Sequence, residues 1–296
     1  MNNIPCIVAI IAVRNESLYI NTVIEHLIAE GLKCVVIDNQ SDDDTVERCR
    51  QYYPDHVIAI ENIPYPGYYD WQTILARKDE LRKSLKADWI IHHDADEIMH
   101  SNRPGETLAQ AIIRVDNEGY NAINFDEFVF IHENDSVSYE GHNYYLDMHH
   151  YYYFQPAANK PRLVRAFSKA VQGDITRSAG HKPSGSNVRI HPEHLVLRHY
   201  ICLSKNHAIS KYVKRIYSTE ELKMGWHLNR VDIGADRYGA PSAGKLTKLG
   251  DDLRVLDYSH PYEEHYWHWG DLRWYLWRRK QQLQVGWKRF TRRLAR

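Results

Sequence analysis

Short apolar runs alternate with amphipathic segments along the first hundred residues. Residues 6–13, CIVAIIAV, and residues 34–37, CVVI, are continuous apolar runs rich in β-branched side chains, a pattern typical of strands that are buried on both faces. Between these runs, apolar side chains recur every three or four positions until Gly31, which predicts an amphipathic helix. The apolar positions of that helix are Ile20, Val23, Ile24, Leu27 and Ile28.

The same alternation continues for two further repeats. The run VIAI at residues 57–60 and the run WIIH at residues 89–92 predict a third and a fourth buried strand. Ser41 is a candidate N-cap for a helix that extends to about Tyr53, and a longer helix is expected over residues 70–86. Strands that alternate with helices form a parallel sheet with right-handed crossovers. The sequence therefore predicts an α/β fold with a Rossmann-like, mostly parallel sheet flanked by helices.

The rest of the chain has a less regular pattern. A helix near residues 106–118 and a strand over residues 121–131 are expected, whereas residues 132–200 suit loops and short antiparallel strands. The run EHLVLRHYICLS, residues 193–204, predicts a last core strand that leads into a helix over residues 204–218. We therefore expect one α/β domain over residues 1–218 and a helical C-terminal extension over residues 219–296.

Polar clusters follow three of the predicted strands. They are Arg14-Asn15-Glu16 after the first strand, Asp38-Asn39 after the second and Asp94-Ala95-Asp96 after the fourth. Ligands of parallel α/β sheets bind beyond the carboxyl ends of the strands. The three clusters are therefore expected to face one crevice.

The carboxylates of HHDADE, residues 92–97, suggest a specific chemistry for that crevice. Alternate side chains of an extended segment face the same way, so Asp94 and Asp96 can address one ligand. Carboxylate oxygens suit Mg²⁺ or Mn²⁺, which commonly combine a few protein carboxylates with substrate phosphates. The alternative is that these residues are solvated acids at the end of a strand.

Composition narrows the class of protein. The chain has 296 residues, with 38 Lys plus Arg and 38 Asp plus Glu, and this balance argues against a dedicated nucleic-acid binder. None of its four cysteines forms a C-x-x-C pair, and no apolar run reaches the roughly 18 residues of a membrane-spanning helix. We expect a cytoplasmic protein with free thiols.

The C-terminal residues 273–296 form a basic, Trp-rich tail without an acidic residue. Its spacing suits an interfacial helix that makes peripheral contact with anionic lipid at the inner face of the membrane. A capping helix whose aromatic side chains pack on the α/β domain is the other interpretation.

Three motifs together resemble the family 2 glycosyltransferases of the GT-A fold, in their metal-dependent, DxD-containing form. They are AVRNE at residues 12–16, IDNQSDDDT at residues 37–45 and HHDADE at residues 92–97; RHYICLSKNHAISKY, residues 198–212, is also similar. The resemblance covers about residues 5–215. It implies a GT-A fold, Mn²⁺ or Mg²⁺ as cofactor, and inverting transfer of a sugar from a UDP- or GDP-linked donor. The implied acceptor is a hydroxyl of a glycan or a lipid-linked molecule.

The resemblance also implies roles for individual residues. The backbone around Val13 and the side chain of Arg14 would line the nucleotide pocket, and Asp38 or Asn39 would bind the nucleobase. Asn39 departs from the commonest family pattern, in which a second Asp is frequent. Asp94 would contact both the ribose and the metal. Asp96 would be the main metal ligand, and His199 would supply a later ligand.

A general base must take the proton of the acceptor hydroxyl, and a carboxylate or histidine on the acceptor side can do so. Asp126 and Glu127 are the first candidates and Glu97 is the next. Other residues are candidates for contacts to the diphosphate: Lys160, Arg162 and His181. The histidines at positions 92, 93, 149 and 150 do not have the spacing of a zinc site. The run HHYYYF, residues 149–154, is either a platform for a sugar or a strand.

Two other functions remain open from the sequence. A nucleotidyltransferase could use a similar sheet and metal carboxylates, although AVRNESLY is not the Gly-rich, basic loop that such enzymes place after the first strand. A non-catalytic sugar- or membrane-binding module on the same fold is the second alternative, and it would be expected to lose Asp96.

Overall fold

The amino-terminal half is built on four parallel strands. The computed structural model describes residues 5–156, 162–277 and 280. Its first four strands are β1 (Ile7–Val13), β2 (Lys33–Asp38), β3 (Val57–Asn62) and β4 (Trp89–Asp94). They pair in parallel in the spatial order β3-β2-β1-β4. The chain adds β2 and β3 on one side of β1 and then returns to add β4 on the other side, so the topological switch point lies between β1 and β4. Each strand lies where the sequence predicts one, and the α/β class is confirmed.

Three helices connect these strands: α1 (Ile20–Ala29), α2 (Thr45–Arg50) and α3 (Trp71–Ser84). A fourth, α4 (Leu108–Asn117), follows later and leads into the second half of the sheet. The prediction that Ser41 caps α2 is wrong, because the helix begins at Thr45 and ends at Arg50. The Ser41 hydroxyl instead accepts a hydrogen bond from the backbone of Asn15, and the Ser41 N–H donates to Asp38. Ser41 therefore ties the β2–α2 loop to the loop after β1.

The second half of the sheet is largely antiparallel. Its strands are β5 (Glu97–His100), β6 (Ala122–Phe130), β7 (His150–Phe154), β8 (Leu163–Ser168), β9 (Leu195–Tyr200) and β10 (Thr247–Lys248). Strand β8 pairs antiparallel with β4, and β6 pairs antiparallel with β7 and β8 but in parallel with β9. The run HHYYYF thus forms strand β7. Strand β8 brings this half of the sheet against the DxD-bearing strand.

Alternating side chains place two apolar layers on the sheet. Ile7, Ala9 and Ile11 of β1 face one buried cluster, whereas Val8 and Ile10 face another. Burial on both faces explains why the strands are read as continuous apolar runs. The polar residues that follow these strands are left at the open end of the sheet.

The segment after β9 departs from its predicted form. Helix α6 (Lys205–Ala208) passes into a π-helical turn (Ile209–Val213) and ends before residue 218. The predicted helix over residues 204–218 is too long because Ile216 accepts a backbone hydrogen bond from Tyr69, which makes this stretch an extended partner of the chain before α3. Two further short helices of the described chain are α5 (Tyr144–Asp147) and α7 (Thr219–Lys223).

Residues beyond the predicted boundary at 218 pack on the α/β domain. Tyr238 and Trp267 share a buried cluster with Val129 of β6, Tyr152 of β7 and Tyr212. Within the tail, only residues 273–277 and 280 are described; Leu272–Trp277 are helical. No helix in the described parts of the chain is long and apolar enough to cross a membrane.

Candidate active site

A cleft of about 980 Å³ lies beyond the carboxyl ends of β1 and β4. The loop after β1, the DxD segment and the segment after β9 all line it, so residues distant in sequence meet there. The predicted site residues that line the cleft are Val13, Arg14, Asn39, Asp94, Asp96, Glu97, Glu127 and His199. The cleft is thus at the topological switch point of the sheet, where such folds bind ligands.

Arg14, Tyr65 and Asn39 form one wall of the cleft. The Arg14 guanidinium lies 3.5 Å from the centre of the Tyr65 ring and donates to the Asn39 and Gln40 carbonyl groups. Asn39 is 2% exposed, and its amide nitrogen donates to the Ile63 and Pro64 carbonyl groups. These two bonds fix the amide so that its oxygen is the free group. That Oδ1 is buried and has no hydrogen-bond partner among the described residues.

Asp38 has a different place. It is buried, it does not line the cleft, and its carboxylate accepts from the Ser41 backbone and from the Asn62 side chain. Its contacts therefore hold the loop together. Of the two residues expected to meet a nucleobase, Asn39 is the one that lines the cleft, and its buried Oδ1 has no partner among the described residues.

The Asp94 carboxylate is neutralised from two sides. Lys78 Nζ lies 3.1 Å from Asp94 Oδ1, and Arg165 Nη2 lies 3.3 Å from Oδ2 and 2.7 Å from Glu97 Oε1. Burial opposes ionisation, but Lys78 and Arg165 outweigh it and hold the pKa of Asp94 well below its ordinary value. For Glu97, burial dominates over Arg165 and raises the pKa to about 8. Adjacent carboxylates therefore have opposite pKa shifts.

Asp96 belongs to a second buried charge network. Lys211 Nζ lies 2.9 Å from Asp96 Oδ2 and 3.2 Å from Glu16 Oε2. His199 bridges two carboxylates: its Nε2 is 3.5 Å from Asp96 Oδ2, and its Nδ1 is 2.7 Å from Glu127 Oε1. Burial acts to lower the pKa of His199, but Asp96 and Glu127 raise it to about 10. The imidazole is therefore protonated at neutral pH in this arrangement.

The predicted metal ligands are Asp94, Asp96 and His199, and their positions decide whether they can hold an ion. Within the described residues, no group of three or more His, Cys, Asp or Glu side chains is placed to hold a metal ion. Asp96 and His199 do meet, and His199 is oriented by Glu127 in the manner of a metal-bound histidine. Because Mg²⁺ and Mn²⁺ commonly use one or two protein ligands and complete their shell with phosphate and water, this pair fits such an ion together with a phosphate ligand. Lys211 would then have to leave Asp96.

Two further arginines line the cleft without a carboxylate partner in the described chain. Arg215 contacts the rings of Tyr69 and Tyr212, at 4.7 Å and 5.5 Å, and Arg230 contacts Tyr212 at 5.2 Å. Cation–π contacts stabilise a guanidinium but leave its N–H groups without acceptors. Arg215 and Arg230 are therefore placed to bind an anionic ligand.

The remaining predicted site residues do not all line the cleft. Arg162 and His181 line the cleft, and Arg162 is bound to Glu127 at 2.7 Å. Asp126 does not line the cleft and lies instead in a second, smaller pocket. Lys160 lies outside the described residues.

Several charged side chains in or beside the cleft were not predicted from the sequence: Lys78, Arg165, Lys211, Arg215 and Arg230. Lys78 is on an amphipathic helix and Arg165 is within an apolar strand, so neither has a local signal. Lys211 does lie in the stretch SKY, which was noted for its similarity to a family motif. Arg230 lies in the predicted C-terminal extension, where the sequence carries no motif that points to the cleft.

Comparisons with known proteins give low similarity. No protein-family model matches the chain, and no curated protein matches it. The structure of S. aureus TarS 1–349 is 11% identical, with a TM-score of 0.41 over 66% of this chain and 60% of that chain, which is less than two thirds of its length. The same protein in complex with UDP is 10% identical, with a TM-score of 0.40 over 73% and 68%. A 4-diphosphocytidyl-2C-methyl-D-erythritol synthase is 13% identical, with a TM-score of 0.31 over 62% and 90%. At these identities the likeness concerns the fold alone.

Proposed function

We propose that the protein is an inverting glycosyltransferase that moves a sugar from a nucleotide-diphosphate donor to an acceptor hydroxyl, with Mn²⁺ or Mg²⁺ as cofactor. The observation that carries the proposal is a combination of groups in one cleft at the switch point. They are the Asn39 side chain, whose Oδ1 is unused, the DxD carboxylates, and two arginines that lack an acceptor among the described residues. These groups match the nucleobase, the diphosphate and the negative charge that develops on the diphosphate as it leaves.

The nucleobase would lie against the Arg14–Tyr65 wall. Asn39 Oδ1 is a hydrogen-bond acceptor. Because the amide nitrogen of Asn39 already donates to two backbone carbonyl groups, the side chain has no free donor to offer a ligand. All nucleobases, uracil and guanine included, carry an N–H on their pairing edge that can supply this donor. The contact is therefore compatible with the UDP- or GDP-linked donor that the sequence resemblance implies.

The diphosphate would bind between Arg215, Arg230 and the Asp96–His199 pair. Arginine forms strong charge-assisted hydrogen bonds with phosphate oxygens, and both guanidinium groups lack acceptors among the described residues. Asp96 and His199 would hold the divalent cation, which supplies positive charge to the departing diphosphate. Since metal ligands must be deprotonated, His199 would lose its proton as the ion binds.

The acceptor hydroxyl needs a base in the cleft. A general base works best when its pKa is near the working pH, and the pKa of Glu97 is raised to about 8. Burial acts to raise the pKa of Glu127, but His199 and Arg162 lower it, so this carboxylate is a weaker base. We therefore place Glu97 first: it takes the proton of the acceptor hydroxyl as the acceptor oxygen bonds to the anomeric carbon. The bond from that carbon to the phosphate oxygen breaks, and the nucleoside diphosphate leaves.

The proposed acceptor is a glycan or a lipid-linked molecule, and peripheral membrane contact would bring the enzyme to the latter. In the described part of the tail, Leu272 and Leu276 are 68% and 59% exposed, whereas Trp274 stacks on His268 at 3.8 Å. The exposed leucines support a lipid contact that continues into the basic residues of the sequence. Flotation with anionic vesicles, but not with neutral ones, is the expected result; equal flotation of a Leu272→Ser/Leu276→Ser variant would contradict the contact.

The first experiment measures thermal stability with a panel of nucleoside diphosphates, with and without Mn²⁺. The wild type, Asp96→Ala and the exposed-site control Asp251→Asn are compared. Ligand binding to the folded state raises the melting temperature according to RT ln(1 + [L]/Kd). We expect a Mn²⁺-dependent shift with one nucleotide in the wild type and the control, and its loss in Asp96→Ala.

Turnover then separates the proposal from its alternatives. A glycosyltransferase releases nucleoside diphosphate from a nucleotide sugar, whereas a nucleotidyltransferase releases pyrophosphate from a nucleoside triphosphate and a sugar phosphate. No thermal shift with any nucleotide would overturn the proposal in favour of a non-catalytic module. A shift without diphosphate release, even with acceptor glycans, would also favour that module.

A further inference from the structure

A second pocket of about 240 Å³ adjoins the cleft. Glu127, Arg162 and Leu163 line both spaces, so the two are separated only by the side chains around these positions. The other lining residues of the second pocket are Asn124, Phe125, Asp126, Tyr153, Phe154, Gln155, Pro156 and His194. Its volume is below the roughly 300–1,000 Å³ of pockets for drug-sized ligands, which suits a ligand of one ring.

The Asp126 side chain faces away from the cleft. Neighbouring side chains of a strand point to opposite faces of the sheet. Phe128 and Phe130 of β6 belong to one buried cluster, whereas Val129 belongs to another. Asp126 shares the face of Phe128, and Glu127 shares the face of Val129 and the cleft. Asp126 is therefore available for a role separate from that of Glu127.

The polar groups of the second pocket are arranged around the Asp126 carboxylate. Asp126 Oδ1 accepts from His194 Nδ1 at 3.0 Å and from the Tyr153 hydroxyl at 3.5 Å. Asp126 Oδ2, His194 Nε2 and the side-chain amide of Gln155 have no hydrogen-bond partner in the described part of the chain. The His194 side chain is 34% exposed, so its free nitrogen is accessible to a ligand.

The charges in this pocket select against an anionic ligand. Asp126 is paired with His194, whose pKa is raised by its hydrogen bond to Asp126, so the pair is close to neutral as a whole. Among the described lining residues the one arginine, Arg162, is already bound to Glu127 at 2.7 Å. A phosphate would thus meet a carboxylate without an unpaired cation from those residues. Hydroxyl groups, in contrast, can donate to Asp126 Oδ2 and exchange hydrogen bonds with His194 and Gln155.

We propose that the second pocket binds one uncharged sugar ring of the acceptor glycan. The carboxylate, imidazole and amide groups match neighbouring hydroxyls, and Phe125, Leu163 and Pro156 provide apolar surface for the C–H side of the ring. The shared wall at Glu127 and Arg162 places this ring beside the cleft, where the acceptor hydroxyl must react. The inference rests on the proposed function for the identity of the ligand as an acceptor.

Saturation-transfer NMR with methyl glycosides tests the pocket directly. The probes are the methyl β-glycosides of glucose, galactose, mannose and N-acetylglucosamine, with methyl β-glucuronide as the anionic comparison. The proteins are the wild type, Asp126→Asn, Gln155→Ala and the control Asp251→Asn, each checked for an unchanged circular dichroism spectrum. We expect at least one neutral glycoside to bind the wild type and the control, and the glucuronide not to bind. Binding should be at least about tenfold weaker in Asp126→Asn, which loses a hydrogen bond to a charged group.

Each other outcome has a definite meaning. The proposal is overturned by no saturation transfer from any neutral glycoside, by unchanged binding in both Asp126→Asn and Gln155→Ala, or by equal binding of the glucuronide. The nucleotide shift of the same proteins is measured in parallel. If that shift persists while glycoside binding fails, the second pocket is wrong and the proposed function stands. If glycoside binding persists and depends on Asp126 without any nucleotide shift, the sugar site stands and the transferase function is wrong.

Discussion

Substitution of Lys211 is the strongest test of the buried charge network. It lies between Asp96 and Glu16, and the side chains of the three residues are 8%, 12% and 14% exposed. Lys211→Met keeps the length of the side chain but leaves the two carboxylates facing each other without a cation. Removing one partner of a buried ion pair costs about 3–5 kcal/mol, because the other charge stays buried. About 1 kcal/mol shifts the melting temperature of a chain of this size by roughly 2 °C, so a decrease of roughly 6–10 °C is expected.

Differential scanning fluorimetry of the ligand-free protein at pH 7 measures this decrease, and urea unfolding gives the free energy. Lys223→Met is the matched control, because Lys223 forms an exposed pair with Glu220 at 3.2 Å, with side chains 70% and 69% exposed. Exposed ion pairs contribute about 0–1 kcal/mol. The control should therefore lose no more than roughly 2 °C.

Mn²⁺ extends the Lys211 test to the proposed metal site. The ammonium and a divalent cation compete for Asp96, so Lys211→Met should bind Mn²⁺ more tightly and gain a larger thermal shift from it than the wild type. Isothermal titration calorimetry without nucleotide reads this affinity directly. If Lys211→Met loses no more stability than Lys223→Met, the reasoning about buried charges is refuted. An unchanged Mn²⁺ affinity would refute the competition at Asp96.

Three other predictions follow from single contacts. Asn39→Ala should weaken binding of the responding nucleoside diphosphate about tenfold in calorimetry, since a buried hydrogen bond is lost; unchanged affinity would contradict the assigned base contact. Arg230→Gln should weaken the same binding by at least about tenfold, because charge-assisted bonds to phosphate are the stronger kind. Nucleoside binding, measured as the control, should be unaffected. Arg114 lowers the pKa of Glu106 from its ordinary 4.5, so the stability from this pair is present above about pH 4.5 and is lost as the pH falls. Urea unfolding should thus show a larger loss for Arg114→Met at pH 7 than near pH 3, and an equal loss at both would contradict this.

The parallel half of the sheet was predictable because each element has a local signal. Strands β1, β2 and β4 are buried on both faces and are therefore continuous apolar runs in the sequence, and β3 at the edge of the sheet keeps a short apolar run although most of its residues are only partly buried. The antiparallel half is specified by pairings between distant residues, such as β8 with β4, and a single sequence carries little sign of them. The predicted helix after β9 failed for the same reason: residues 216 and 217 are held by the chain at Tyr69, a contact that no local pattern announces.

The candidate site was predictable to a similar extent. Residues at strand ends could be placed, because parallel strands bring their carboxyl ends to one edge. The partners of those residues could not, since Lys78 projects from the middle of a helix and Arg165 from the middle of a strand. The different placements of Asp126 and Glu127 could have been anticipated from strand alternation alone, which sends the two side chains to opposite faces.

The buried charges of the cleft are better explained by ligand binding than by stability. Burying an ion pair costs desolvation that its mutual attraction only partly offsets, and apolar replacements are often as stable. The Asp94 and Asp96 networks therefore contribute little that an apolar core would not. They do hold carboxylates, a protonated histidine and a lysine at fixed positions, which lowers the reorganisation needed when a charged ligand binds. Arg215 and Arg230 remain without acceptors among the described residues, so the network is incomplete on its cationic side. A ligand with two negative charges would complete it, which agrees with the proposal of a diphosphate rather than a neutral sugar in the cleft itself.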